Sequence, residues 1–456
     1  MRIRVIPGGR LQATVRVPGD KSIAHRWLIL ASTASGRSRL TGLPGALDVR
    51  STASCLAKLT LKARPALDLW ARNASSGVEG SGSTWNDMPR GVSNGTLEVE
   101  GEGRVGLVEP RASLDCGNSG TSMRLLAGVL AAAPFTTELT GDRSLSARPM
   151  ERVAAPLRQM GAAVLTTDGH PPLVVTGGPL VGIEHRMQVP SAQVKGALLL
   201  AGVRASGWTF VVEPAATRDH TERALDTLGA PVRREGLRVG IARFQHDGFE
   251  AAVPGDPSSA AFLIAAAALT GSAVTIEDVG LNPTRLHFLR VFSRMGLVIE
   301  TSVLGEQLGE PVGSIHVIPT DALRSTRIEA DELPLVIDEV PVIAMLGTHA
   351  SGETWFFGAS ELRVKESDRL GALAEGIRGL GGHAAAEADD LVIAGGGLRG
   401  GVASSDGDHR LAMAFTVGSL AADRPCEVEG MEAAAVSFPG FVETLRSMGA
   451  TIEVVA

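Results

Sequence analysis

The sequence predicts an α/β chain built as a six-fold internal repeat, and three observations predict it. First, one helix-ending pattern recurs: an amphipathic stretch, Met or Leu, then Gly, a small residue and a short apolar run. It stands at Leu157–Val164, Leu225–Val232, Phe292–Val298, Ile377–Gly382 and Leu445–Ile452. Second, a helix of another kind precedes each copy, rich in Ala and Leu and opened by a polar loop. Third, most copies lie roughly 70 residues apart, room for one unit of strand, buried helix, strand, outer helix and strands.

Taken in order, each element has a local reason. The recurrent glycine reads as the residue just past an outer helix, left-handed in backbone, that turns the chain into a strand. A degenerate copy without its glycine, Cys55–Thr60, supplies the sixth unit. The preceding helices start near Ser22, Ser119, Ser191, Ser258, Glu339 and His409 and are apolar almost all round, so they lie inside a layer. Their N-termini carry the polar residues. The first interval exceeds the others by about 30 residues. The surplus falls between Ala63 and Thr96, around the Gly/Ser-rich run Asn73–Ser83, and residues 64–96 read as a flexible surface insertion.

With 456 residues, 44% hydrophobic and 20% charged, the chain is an ordinary globular protein long enough for two or three domains. A net charge of −7 argues against a general nucleic-acid or anionic-membrane binder, so any anion is held by a local cluster of Lys and Arg. Cys55, Cys116 and Cys426 form neither a CxxC pair nor a ligand spacing, which points to a reduced, cytoplasmic chain. Arg2, Arg4 and Arg10 break up the start, leaving no apolar signal core, and the longest apolar run, Ala260–Ala268, is too short to span a bilayer. There is no metal-ligand cluster, P-loop or GxGxxG, so no metal or cofactor is expected, and no tyrosine offers phenolic chemistry.

The polar helix starts carry the candidate chemistry. Pro18-Gly19-Asp20 is a tight turn, and Lys21, Ser22 and Arg26 follow at a helix N-terminus, where unpaired N–H groups and the positive dipole end attract anions. Ser22 and Arg26, four apart, share a face. This is either a phosphate or carboxylate site or a capped surface helix with two solvated charges. Asp115–Arg124 opens the next buried helix through Gly117 and Gly120, which either let backbone N–H groups approach an anion or simply turn the chain. Cys116 reads as a small buried residue and not a nucleophile. Arg143 and Arg148 lead to an outer helix, with Pro149 at its N1 position stiffening Arg148.

Pro190–Lys195 sets Ser191 and Gln193 at a third start, where capping alone accounts for Ser191. Arg218 stands exposed ahead of the third outer helix. Asp338 and Glu339 enter a helix after Ile337; acids stabilise helix starts, and partial burial of Asp338 would raise its pKa into a useful range. Glu361–Leu370 is either a solvated charged helix face or an anion site, because Lys365 and Arg369 are like charges at i, i+4. Asp408-His409-Arg410 begins the last buried helix, and an arginine in that apolar first turn needs an anionic partner or an exit to water.

Together these stretches resemble the EPSP synthase (3-phosphoshikimate 1-carboxyvinyltransferase) family of enolpyruvyl transferases. The resemblance runs through Pro-Gly-Asp-Lys-Ser-Ile-Ala-His-Arg, Gly-Asn-Ser-Gly-Thr-Ser-Met-Arg, Arg148-Pro149, Ser-Ala-Gln-Val-Lys, Val-Lys-Glu-Ser-Asp-Arg-Leu and Asp-His-Arg, in the family's order along nearly the whole chain. It implies two similar domains, each of three βαβαββ units in an inside-out α/β barrel. One, 20–252, is inserted in the other, 1–19 plus 253–456, which takes a first strand Arg2–Val17, and the active site lies in the cleft between them. The implied reaction moves the enolpyruvyl group of phosphoenolpyruvate to the 5-hydroxyl of shikimate 3-phosphate by addition and elimination, in the shikimate pathway.

By the same resemblance Lys21, Ser22, Arg26, Ser191, Gln193, Arg218, Asp338 and Lys365 would hold shikimate 3-phosphate. Lys21, Gly120, Arg148, Gln193, Arg369 and Arg410 would hold phosphoenolpyruvate. Asp338 would be the base for the hydroxyl, and Glu366 and Lys21 would transfer protons near phosphoenolpyruvate. Arginines and helix N-termini would supply the electrostatic stabilisation with no cofactor, in a monomer without nucleic-acid or membrane partners. Two departures stand out: Val436 replaces a lysine some members place before Phe438-Pro439, and Arg218 must serve where some use a tyrosine. Gly120 is retained where alanine accompanies glyphosate tolerance in some relatives, so glyphosate inhibition competitive with phosphoenolpyruvate is expected. The alternatives are the sister transferase acting on UDP-N-acetylglucosamine, which typically starts Lys-Asn and has a reactive loop cysteine, and a non-catalytic anion-binding relative.

Overall fold

The computed structural model describes residues 1–73, 92–93, 95–103, 106–320, 322–364 and 367–455. The chain divides into two units: an inserted unit, Gly19–Pro254 with Glu306–Glu310, and a terminal unit, Met1–Pro18, Gly255–Gly305 and Pro311–Ala456. Each has its own apolar core.

Three four-stranded sheets of one topology build each unit. In one of them Leu114–Asp115 pairs in parallel with Thr136–Thr140, which pairs antiparallel with His170–Thr176, itself antiparallel to Ala163–Thr167. A parallel pair needs a crossover, and the buried helix Gly120–Leu130 is that crossover. The outer helix Glu151–Met160 then joins the second strand to the third. Every other sheet keeps the order first, second, fourth, third, but three complete it with a strand from elsewhere in the chain. Glu250–Ala252 lies parallel to Ser35–Thr41, Gln12–Arg16 lies parallel to Ala273–Gly280, and Arg2–Ile6 sits antiparallel between Cys426–Glu429 and Thr451–Val455. The expected single strand Arg2–Val17 is therefore two strands in two sheets. Pro7 and Gly8, the latter at φ +103°, break it.

The buried helices are Lys21–Thr33, Gly120–Leu130 and Ala192–Gly202 in the inserted unit, and Pro257–Leu269, Val340–His349 and His409–Ser419 in the terminal unit. Side chains of Asp20, Ser119, Ser191, Asp256 and Asp408 cap five of them by accepting from backbone N–H groups of the first turn. Burial is close to complete: every residue from Pro257 to Ala268 is enclosed. The Gly120 and Ala192 helices meet backbone to backbone, since a Cβ on Gly128 would lie 2.1 Å from the Ala197 carbonyl oxygen. The pattern glycines Gly161, Gly229, Gly296, Gly381 and Gly449 all have positive φ, from +77° to +114°.

The insertion expected over 64–96 begins as ordered core. Arg64–Asn73 is a helix whose Leu67, Trp70 and Ala71 are buried, and Thr96–Glu102 is a strand. Leu67, Trp70 and Ala71 stand at i, i+3 and i+4, and Pro65 is a helix starter there, so the amphipathic signal was present in the sequence. Residues 74–91, with the Gly/Ser-rich run, lie outside the described residues. Among the described residues no helix is long and apolar enough to cross a membrane, and the three cysteines are free and buried.

Candidate active site

In the inserted unit, side chains lace together the first turns of the three buried helices. Arg26, 3% exposed, donates from Nε to Thr221 Oγ1 (2.7 Å), from Nη1 to Ser22 O (2.8 Å) and from Nη2 to Ala192 O (3.3 Å). Gln193 donates from Nε2 to Thr121 Oγ1 (2.8 Å), and its Oε1 accepts from Arg124 Nη1. Three positive dipole ends therefore converge, and the cations gather there. Lys21 Nζ lies 2.9 Å from Asp48 Oδ2, Arg218 Nη1 donates to Ser22 Oγ (3.4 Å), and Arg148 Nη2 donates to Asn118 Oδ1 (2.6 Å). Gly120 lies under two of them: a Cβ on it would be 3.0 Å from Arg124 Nη1 and 3.4 Å from Arg148 Nη1.

Burial lowers the Arg26 pKa to about 10, with Glu222 and Asp20 opposing the fall, so the guanidinium stays charged at neutral pH. Burial takes the neighbouring His25 much further, to about 3. That imidazole is neutral and structural: its Nδ1 is hydrogen-bonded to Thr52 Oγ1 (2.7 Å), which is hydrogen-bonded to Ser122 Oγ (2.6 Å). The Cys116 thiol is pushed well above its ordinary pKa by a hydrogen bond with Cys55 and by burial, which disqualifies it as a nucleophile.

The terminal unit repeats the convergence with different chemistry. Arg410, in the first turn of the His409 helix, donates from Nη1 to the Asp338 carbonyl oxygen (2.9 Å), and its Nη2 lies 3.6 Å from Asp338 Oδ2. Asp338, half-buried, is thus the anionic partner that an arginine in an apolar first turn requires. Ser258 Oγ donates to Glu339 Oε1, joining the starts of the Pro257 and Val340 helices, and Arg285 Nη2 donates to Asp256 Oδ1 (2.8 Å). Arg369, 1% exposed, donates from Nε to Asp408 Oδ2 (2.8 Å), while Asp408 Oδ1 accepts from Arg410 N (2.8 Å). One carboxylate serves a guanidinium and a helix N-terminus together.

The structure gathers Lys21, Ser22, Arg26, Gly120, Arg148, Ser191, Gln193 and Arg218 at one end of the inserted unit. Asp338, Arg369 and Arg410 gather in the terminal unit. Lys365 and Glu366 lie outside the described residues. Three local readings change. Arg369 is the first residue of its own helix, Arg369–Gly379, which Asp368 caps, and a 3-10 turn, Ser360–Val364, stands earlier in the chain. Pro149 is not at N1, since the helix begins at Glu151 after Met150, and the Pro149 carbonyl instead accepts from Arg124 Nη2 (3.2 Å). Arg218 is half-buried on Ser22, not exposed.

Arg124, Asp48 and Thr221 escaped the sequence reading. Arg124 did carry a signal, a charge in the second turn of an otherwise apolar helix, the reasoning that singled out Arg410. Asp48 and Thr221 are ordinary polar residues of outer helices, brought in only by packing. Among the described residues no group of three or more His, Cys, Asp or Glu is arranged to hold a metal ion.

The family model of EPSP synthase (3-phosphoshikimate 1-carboxyvinyltransferase) matches residues 5–73 and 90–445. The chain is 46% identical to the 3-phosphoshikimate 1-carboxyvinyltransferase of Halorhodospira halophila, covering 99% of this chain and 97% of that one. It is 47% identical to that of Methylococcus capsulatus, covering 98% and 97%. Among solved structures, the EPSP synthase of Acinetobacter baumannii superposes with a TM-score of 0.84 at 38% identity, covering 100% of both chains.

Proposed function

The chain belongs to the EPSP synthase (3-phosphoshikimate 1-carboxyvinyltransferase) family, and on that footing we propose how its residues divide the reaction. The enzyme transfers the enolpyruvyl group of phosphoenolpyruvate to the 5-hydroxyl of shikimate 3-phosphate and releases phosphate. One observation carries the division: in an acidic chain, cations are collected at converging helix N-termini, where two anionic substrates need them.

In the inserted unit Ser22, Arg26, Ser191 and Arg218 take shikimate 3-phosphate, Gly120 and Arg148 take phosphoenolpyruvate, and Lys21 and Gln193 serve both. In the terminal unit Arg369 and Arg410 take phosphoenolpyruvate, and Asp338 takes shikimate 3-phosphate. Lys365 and Glu366 enter on resemblance alone. Asp338 removes the proton of the 5-hydroxyl as its oxygen bonds to C2 of the enol, and C3 gains a proton from Lys21 or Glu366 to become a methyl group. From the tetrahedral intermediate the C2–O bond to phosphate breaks, phosphate leaves, and C3 gives a proton back to restore the double bond. Arg148, Arg369 and Arg410 balance the charge that builds on the departing group. Arg410 Nη2, 3.6 Å from Asp338 Oδ2, places a cation beside that base.

Phosphate release from phosphoenolpyruvate with shikimate 3-phosphate as acceptor tests the reading. Release with UDP-N-acetylglucosamine instead would assign the sister activity, and release with neither would leave an anion-binding relative. The enzyme works as a monomer in the cytoplasm, where its buried thiols stay reduced. A light-scattering mass twice that of the chain would refute the monomer.

A further inference from the structure

Lys195 is the one lysine of the inserted unit's buried helices that the division above leaves without a task. It sits one turn into the Ala192 helix and is 2% exposed. Its Nζ lies 2.7 Å from Glu213 Oε2 and 2.7 Å from Glu222 Oε1, both buried carboxylates, and donates to Thr217 O at 3.5 Å. Thr217 Oγ1 donates in turn to Glu213. Burial opposes the lysine's charge, but the two carboxylates outweigh it and raise its pKa.

These contacts have a direction. Glu213 directly follows the strand Trp208–Val212, and Glu222 lies in the first turn of the helix His220–Thr227, so Lys195 grips the intervening loop at both ends and through Thr217. That loop and first turn carry Arg218, which reaches Ser22 Oγ, and Thr221, which accepts from Arg26 Nε. Glu222 is also the carboxylate that most supports the charge of Arg26. Its Oε2 is buried and hydrogen-bonded to nothing among the described residues, so its charge is balanced through space by the cations around it.

We propose that Lys195 is a positioning residue for shikimate 3-phosphate. Its charge holds Glu222, in the first turn of the helix that carries Thr221, away from Arg26, so that the carboxylate does not close on the guanidinium and cancel its charge. The inference rests on the assignment of Arg26 and Arg218 to that substrate.

Steady-state kinetics on four variants of the full chain test it. Lys195→Met should raise KM for shikimate 3-phosphate about tenfold or more, with kcat and KM for phosphoenolpyruvate within about threefold of the parent. Lys195→Met/Glu222→Gln removes one positive and one negative charge, and should return KM for shikimate 3-phosphate most of the way. A lysine that only held the fold together would do neither: the single variant would lower kcat along with both affinities, and the double variant would be worse. If Arg26→Met raises KM for shikimate 3-phosphate while Lys195→Met does not, the inference fails and the assignment of Arg26 stands. If Arg26→Met leaves that KM unchanged, both fall. Should Lys195→Met fail to fold, Glu222→Gln decides, since it should leave KM for shikimate 3-phosphate at or below the parent value. A tenfold rise there would overturn the inference.

Discussion

Replacing His25 by glutamine should change how the stability of the inserted unit depends on pH, by an amount the structure sets. The imidazole is fully enclosed, and burial, with help from Lys21 and Arg26 against Asp48 and Asp20, lowers its pKa from 6.5 to about 3. Between those values the unfolded chain binds a proton that the folded chain refuses, so stability rises with pH and is lost as pH falls through 6.5. Each pH unit below 6.5 costs about 1.4 kcal/mol, so by pH 5 the parent has lost about 2 kcal/mol through this residue. Glutamine keeps a polar partner for Thr52 and has nothing to titrate. Urea unfolding followed by tryptophan fluorescence, with Trp27 fully buried in the same helix, gives the quantity at pH 7.5 and pH 5. Comparing the two losses cancels other titrating groups, and the parent should lose about 2 kcal/mol more than His25→Gln. Equal losses would refute the neutral, structural histidine. So would an acid limb of the kcat–pH profile near neutrality that vanishes in the variant, because an imidazole with a pKa of about 3 does not change protonation state there.

Three further outcomes follow from the same geometry. Asp338→Asn keeps the backbone contact to Arg410 but removes the base, so kcat should fall about 10²–10⁴-fold with KM for shikimate 3-phosphate nearly unchanged; a rise in KM alone would move Asp338 out of the proton transfer. Gly120→Ala places a methyl group 3.0 Å from Arg124 Nη1 and 3.4 Å from Arg148 Nη1, and these flexible ends can recede. KM for phosphoenolpyruvate and the inhibition constant of glyphosate should rise together while the melting temperature holds, and unchanged constants would sink the placement of Arg148. Asp408→Asn keeps a capping oxygen but removes the carboxylate charge beside Arg369 in a site 1% exposed, and urea unfolding should show a loss of about 3–5 kcal/mol; a loss under about 1 kcal/mol would mean that the pair contributes no more than an exposed one.

The repeat was legible because a glycine at positive φ after an outer helix is a local requirement, and Gly161, Gly229, Gly296, Gly381 and Gly449 each meet it. The strands that complete three sheets were not legible. Nothing in Glu250–Ala252 marks it as the parallel neighbour of Ser35–Thr41, some 200 residues earlier, because that choice is made by the closure of the unit and not by the segment. The site divides in the same way. Arg410 stood out because a guanidinium in an apolar first turn needs a partner, and Arg124 could have been found by that reasoning. Which partner each finds is a matter of packing: Asp48 for Lys21, Thr221 for Arg26 and Asp408 for Arg369 come from elements with ordinary sequences.

On the proposed assignment, those partners explain how an acidic chain can serve as an anion site. Lys21, Arg369 and Arg410 each lie beside a carboxylate, Asp48, Asp408 and Asp338, so none is offered to substrate as a bare charge. A buried cation with no counter-charge would shift its pKa or open the fold, whereas a paired one is held in place at modest cost. The substrate anion must then compete with a resident carboxylate for each cation. A doubly charged phosphate wins that competition only where several cations and helix N-termini face it at once, since one cation already balanced by one acid has little attraction left. The converging first turns of three helices supply that multiplicity, and their backbone dipoles add to the cations there. Hence the polar residues sit at the ends of helices that are otherwise apolar all round: the apolar bodies hold three N-termini in one place, and the few cations at their tips act as a set.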